Sequence, residues 1–131
     1  MTQLRITDVA ALLGVSDDTA RRMVDQGRLT GEHDGSGRLV VDGAEVAAVA
    51  VETARPAQIG PVAQSSERNR MRGLVTRVVK DTVMAQVELQ CGPYRIVSLM
   101  SREAVDELGL DVGSIAEASI KSTNVVIGVP S

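Results

Sequence analysis

With 131 residues, the chain has room for one ordinary domain or two very small ones, each near the lower limit for burying a self-sufficient core. Apolar residues make up 44% of it but aromatic residues only 1%, the single Tyr94, so any core is built from Val, Leu, Ile, Ala and Met, and modules that stack single-stranded bases on aromatic platforms are excluded. The net charge of −3 is spread as six Arg against nine acids in residues 1–55 and eight basic against eight acidic residues in 56–131, which excludes a bulk polycation, while one cysteine, Cys91, and one histidine, His33, exclude an internal disulfide, a His-built metal site within one chain and Cys–His catalysis.

In chain order, "TDVAALLG" predicts a short helix over residues 7–14, with Thr7 as N-cap, Asp8 at the positive helix end, Val9, Ala10, Leu12 and Leu13 on the buried side, and Gly14 at the left-handed stop. A second start follows at once in Ser16, Asp17 and Asp18, leading into "TARRMVDQG", which Gly27 closes. The short "GVS" connection makes the pair a helix-turn-helix pattern whose members cross steeply. Next, "RLTGE" and "RLVV" flank the glycine-containing turn "HDGSG" and predict a hairpin, and Asp42 caps a further helix from about Ala44 to Thr53. This order is that of a winged helix-turn-helix domain.

Arg55 to about Ser65, with two prolines and no periodicity, reads as a linker. Beyond it the apolar period becomes two. "MRGLVTRVVKD", "VMAQVELQ", "YRIVSLM", "SIAEASIK" and "NVVIGV" predict five short strands, interrupted by one helix over "SREAVDELGL" with Ser101 as cap and Gly109 as stop. Five strands and one helix in this length predict a small OB-like barrel. Met23, Met71, Met84 and Met100 read as core gap-fillers, and Cys91 as an inert thiol. The first residues lack a basic start followed by an apolar run, and no window approaches the roughly 20 apolar residues of a membrane span, so a cytoplasmic protein without membrane partners is expected.

The segments "SERN" at the mouth of the first of these strands and "IKST" at the exit of the fourth are rich in donors: the cations Arg68 and Lys121, and the hydroxyls of Ser66, Ser122 and Thr123. Donors with little opposing carboxylate fit a small oxyanion, whose oxygens accept charge-assisted hydrogen bonds. No base or nucleophile accompanies them, so an enzyme is not expected.

Residues from about Ser65 to Pro130 resemble a Mop or TOBE domain, the molybdate-binding module of the molbindins and molybdate-responsive regulators, through "SERNRMRG", "VMAQVEL", "SREAVDELGLDVGS" and "IKSTNV". The resemblance implies molybdate or tungstate as ligand, held by Ser66, the backbone at Glu67, Arg68, Ser101, Lys121 and Ser122 in sites between subunits, with no metal other than the bound oxyanion. Ala104 stands where the family usually has a hydroxyl ligand, and Glu67 where Ala or Gly is usual. The first half, "RITDVAALLGVSDDTARRMVDQGRL" and its hairpin, resembles the DNA-binding domain of the MerR and excisionase group. That resemblance implies DNA as partner, with Ser16, Thr19, Arg21 and Arg22 of the second helix facing the groove and His33, Ser36 and Arg38 on the wing.

The expected fold is therefore α+β with two domains: a winged helix-turn-helix at 1–54, a linker at 55–65 and a Mop-like barrel at 66–131. The expected function is that of a molybdate- or tungstate-responsive transcriptional regulator, a dimer or hexamer through its C-terminal domain. The alternative is a molbindin-like oxyanion buffer whose N-terminal domain serves assembly or protein binding, a reading that the acidic balance of residues 1–55 favours.

Overall fold

The computed structural model describes residues 2–55 and 65–130; the expected linker falls almost wholly outside them. The chain divides into two compact units, Met1–Arg55 and Pro56–Ser131.

In the first unit, β1 (Gln3–Arg5) runs directly into α1 (Ile6–Leu13), followed by α2 (Asp17–Asp25), β2 (Gly31–His33), β3 (Leu39–Asp42) and α3 (Gly43–Thr53). The three strands form one antiparallel sheet in the order β1-β3-β2. The strand β1, too short to show alternation, escapes sequence reading, and it moves the helix start. Arg5, held extended by pairing with Val40, occupies the N-cap position of α1 with no side-chain cap, so Thr7 lies inside the helix instead of capping it. The buried stripe of α1 is Ile6, Val9 and Ala10 with Leu13 partly buried, the i, i+3, i+4, i+7 set; Leu12 lies off that stripe and is 67% exposed, contrary to expectation.

The turn between α1 and α2 is as read: Gly14 is left-handed at φ 69°, and Ser16 caps α2 by accepting the Thr19 amide at 3.1 Å. Gly27 closes that region at φ 79°, and Arg28 and Leu29 donate their amides back to the Met23 carbonyl, so that Leu29 is buried before β2 begins at Gly31 rather than at Arg28. Asp42 caps α3 through the Ala44 amide.

The second unit is a four-stranded antiparallel sheet, β6-β5-β4-β7, made of β4 (Asn69–Lys80), β5 (Met84–Cys91), β6 (Tyr94–Ser101) and β7 (Ile115–Ile120), with α4 (Arg102–Leu108) between β6 and β7. The long β4 serves two neighbours. Asn69–Leu74 pair with β7, Leu74–Lys80 pair with β5, and the register shifts between Val75 and Arg77. Gly73 sits just before that shift, where a Cβ would lie 2.3 Å from the Gln90 carbonyl oxygen, so only glycine permits the close crossing. Val75, Ala85, Val87, Leu89, Cys91 and Val105 form the core. Met23 is buried and Met71 and Met100 pack partly against the cores as expected, but Met84, at the open start of β5, is 45% exposed.

The expected fifth strand, "NVVIGV", pairs with no strand among the described residues. A 3-10 turn over Ser122–Asn124 carries the backbone away from β7, and Val126, Ile127 and Val129 are 83–91% exposed. A β-branched run states a preference for extended backbone, whereas a strand also requires an edge within reach. The sheet consequently stays open, leaving a hollow of about 560 Å³ lined by Val87, Leu89, Ile96, Met100, Leu110 and Ile115 among others.

Candidate functional site

The donor-rich segments are brought together by one ladder. Asn69 pairs with Ile120 in the β4–β7 register, and the Asn69 side chain locks that end by donating to the Ile120 carbonyl at 3.1 Å. Ser66, Glu67 and Arg68 therefore enter the sheet where Lys121 and Ser122 leave it. All but the half-buried Glu67 are exposed. Immediately inside, Arg70 of β4 is paired with Glu117 of β7 at 3.0 Å, so the arginines of the strand mouth have different duties. Arg68 and Lys121 form no ion pair among the described residues.

Ser101 is placed elsewhere. It ends β6 opposite Met84, beside the Lys80–Ala85 pairing at the far end of β4. At about 3.3 Å per residue, roughly 36 Å of strand path separates the two ends. Within a single chain Ser101 does not join Ser66, Arg68, Lys121 and Ser122. Its hydroxyl accepts the Ala104 amide at 3.0 Å and caps α4.

Two features escaped the sequence reading. Ser65 organises the entry loop: its hydroxyl accepts the Glu67 amide at 3.1 Å and also contacts the Glu67 carboxylate, while its carbonyl accepts from Arg68 Nη1 at 3.2 Å. Glu88, at an outward position of β5, is nonetheless only 8% exposed because Arg95 bonds its carboxylate and Arg77 approaches it to 4.0 Å. The hydrogen bond from Arg95 holds the Glu88 carboxyl below its ordinary range. Cys91 is buried, and burial pushes its thiol up, away from the reactive thiolate.

In the first unit, the hydroxyls of Ser16 and Thr19 bond each other at 3.0 Å within the cap of α2. Arg21 and Arg22 lie exposed between the buried Ala20 and Met23, and neither forms an ion pair among the described residues. Asp17, Asp18 and Asp25 are exposed on the same helix. His33 pairs with Leu39 at the strand end, and Ser36 and Arg38 are exposed beyond it. The loop is fixed by Asp34, whose carboxylate accepts the amides of Ser36 at 2.8 Å and Arg38 at 3.0 Å; these two bonds, Arg38's foremost, hold the Asp34 carboxyl below its ordinary range.

Residues 65–127 match the TOBE domain family, and residues 4–50 match a helix-turn-helix domain family. Molybdenum-pterin-binding protein 1 of Clostridium pasteurianum is 40% identical over 63 residues, 47% of this chain and 93% of that protein. A probable molybdenum-pterin-binding protein of Haemophilus influenzae is 40% identical over 65 residues, 49% of this chain and 94% of that protein. Among solved structures, apo MopII from Clostridium pasteurianum is similar at 37% identity and a TM-score of 0.47, covering 50% of this chain and all of that one.

Proposed function

Since the chain belongs, through residues 65–127, to the TOBE domain family and carries a helix-turn-helix domain ahead of it, we propose that it is a molybdate- or tungstate-responsive DNA-binding regulator, a binding protein of the cytoplasm and not an enzyme. The observation that carries the reading is the Asn69–Ile120 register. It brings the segments that carry Arg68 and Lys121 to one sheet end, and neither cation forms an ion pair among the described residues. Relatives named as molybdenum-pterin-binding support a molybdenum oxyanion as the ligand.

The chemistry is binding by charge-assisted hydrogen bonds. Arg68 and Lys121 offer ionised donors, Ser66 and Ser122 hydroxyls, and the Glu67 backbone an amide. Each bond from a charged group contributes about 1.5–3 kcal/mol. Ser101, at the far end of β4, reaches such a site only from a second copy of the chain. A second copy also gives the exposed Val126–Val129 tail an edge to pair with and the open hollow something to cover it. In this reading the sensor is a homo-oligomer whose sites are completed by assembly. The sensed anion then biases an assembly that presents several copies of α2, with Arg21 and Arg22 toward DNA and His33, Ser36 and Arg38 toward its backbone.

The test uses the full-length protein. Calorimetry with sodium molybdate, tungstate and sulfate is expected to show binding of the first two and much weaker binding of sulfate, whose smaller oxygen shell falls short of donors set for a larger ion. Selection of binding sequences from a genomic DNA pool, with and without molybdate, is expected to enrich a repeated half-site in a molybdate-dependent manner. Arg21→Ala with Arg22→Ala is expected to abolish that enrichment, each lost base contact costing about 1–3 kcal/mol. Equal affinity for sulfate overturns the sensor. Oxyanion binding without enrichment of any sequence supports the second reading, an oxyanion buffer, which the excess of nine acids over six arginines in residues 1–55 favours on electrostatic grounds.

A further inference from the structure

The entry loop of the proposed site is closed on itself. The Glu67 amide, a donor that the proposed reading gives to the anion, is already taken by Ser65 Oγ at 3.1 Å. The Ser65 hydroxyl in turn directs its own proton to the Glu67 carboxylate, and Arg68 Nη1 donates to the Ser65 carbonyl at 3.2 Å. Three groups of one short turn thus satisfy each other, and one of them is a carboxylate in a place otherwise furnished with donors. A dianion entering there meets a fixed negative charge and two donors that must change partners.

We propose that Ser65 and Glu67 form an internal latch that competes with the bound oxyanion and raises the concentration at which the site fills. This inference rests on the reading of the loop as an oxyanion site. Two effects act in the same direction. The closed turn is a populated state without a free Glu67 amide, so the apparent affinity falls by the fraction of loops that are open. The carboxylate adds like-charge repulsion, which is screened in part by solvent and salt. A sensor with such a latch stays empty at anion levels that saturate a site lacking it, which suits a switch more than a scavenger.

The experiment is calorimetric titration of the full-length protein with sodium molybdate at neutral pH, with assembly checked by sedimentation for each variant. Glu67→Gln, which keeps an acceptor but removes the charge, is expected to tighten binding about tenfold or more at low ionic strength, the gain shrinking as salt is added. Ser65→Ala, which frees the amide and leaves the charge, is expected to tighten it by roughly threefold, with little salt dependence. Wild-type binding with unchanged or weaker binding in Glu67→Gln overturns the latch and leaves the site standing. Failure of the wild type and of both variants to bind molybdate overturns the site, and the latch with it. Tighter binding of hydrogen phosphate by the wild type than by Glu67→Gln also overturns the latch, since Glu67 would then be accepting a proton from the ligand instead of repelling it.

Discussion

Helices α1, α2 and α3 of the first unit enclose a core in which Val9, Leu29 and Val41 are at most 1% exposed, and Leu12 and Val51 are the large apolar side chains left most open there among the described residues. The second unit, also small, buries Val75 and Val105 as completely, yet leaves Leu99, Ile115, Val126, Ile127 and Val129 more than 60% exposed and contains a hollow of about 560 Å³ that Ile115 helps to line. Burial fraction rises only slowly with size, so two small units begin with the same handicap. One resolves it by wrapping helices over a minimal sheet. The other keeps apolar surface and two sheet edges open, and its candidate ligand residues are split between the two ends of β4. In the proposed reading, openness and divided ligands have one common remedy, a second copy of the chain.

The largest expected effect breaks that remedy. Placing aspartates in the tail, Val126→Asp with Ile127→Asp, buries two unpaired charges wherever the tail pairs with another chain, and a buried charge without a partner is strongly disfavoured. Sedimentation is expected to show the wild type as a dimer or larger and this variant as a monomer that no longer binds molybdate, with the helical signal of the first unit intact. An unchanged oligomer would mean that the tail covers nothing, and the contrast between the units would reduce to one of composition.

Next in size is the loss of a cation. Arg68→Ala or Lys121→Ala removes a charged donor from an exposed position, so the fold is retained while molybdate affinity falls roughly 10- to 150-fold, the equivalent of about 1.5–3 kcal/mol. The shared-site idea is sharpened by mixing. Arg68→Ala chains and Ser101→Ala chains should each bind poorly alone, yet co-refolded hetero-oligomers should regain a fraction of intact sites. No recovery on mixing would place Ser101 outside the site.

A smaller effect should stay within the first unit. Ser16→Ala deletes the acceptor of the Thr19 amide and the partner of its hydroxyl, and is expected to cost about 1 kcal/mol in denaturant unfolding of that unit. Assembly and molybdate affinity should be unaffected, because the cap is spent on α2 alone. A change in oligomeric state would show that the first unit is not the self-sufficient one.

Much of this contrast is legible in the sequence, and the failures have physical reasons. Ser16, Asp42, Ser101, Gly14 and Gly109 announce helix ends because caps and left-handed stops are local chemistry. That "SERN" enters the first strand of the second unit and "IKST" leaves the fourth is legible once the strands are placed, but that these two strands pair, with Asn69 opposite Ile120, is not, since order along the chain does not say which strands are neighbours. By contrast, β1 is three residues long and owes its existence to β3. "NVVIGV" has strand composition, but pairing is a property of two segments. Leu12 is apolar and helical yet off the buried stripe, a distinction that phase decides and composition does not. Glu67 reads only as a departure from the family pattern, and Ser65 carries no signal of its own; the turn geometry shows that they occupy each other.

Acid provides the finest test of the two units. In the first, Asp34 is held below its ordinary carboxylate range by the Arg38 and Ser36 amides. In the second, three carboxylates are so held: Asp81 by the Met84 and Val83 amides, Glu88 by Arg95, and Asp106 by Lys80. A carboxyl whose folded pKa lies below its unfolded one takes up its proton more readily in the unfolded chain. The stability it contributes is therefore whole above the unfolded values, near 4, and is lost as pH falls through the lower folded values. Asp81 and Asp106 are exposed and Asp34 is half-buried, so these three contributions are modest, while that of the largely buried Glu88 is screened less. Their distribution still predicts a direction: between pH 6 and pH 3 the second unit should lose more protection than the first, read residue by residue as hydrogen-exchange protection factors in the full-length protein. Glu88→Gln should lower protection of β5 and β6 at pH 6 and remove part of their acid dependence, because the Arg95 bond no longer involves a titrating partner. If both units lose protection equally, or if Glu88→Gln leaves the acid dependence of β5 unchanged, these carboxylates do not distinguish the units, and the contrast rests on apolar exposure alone.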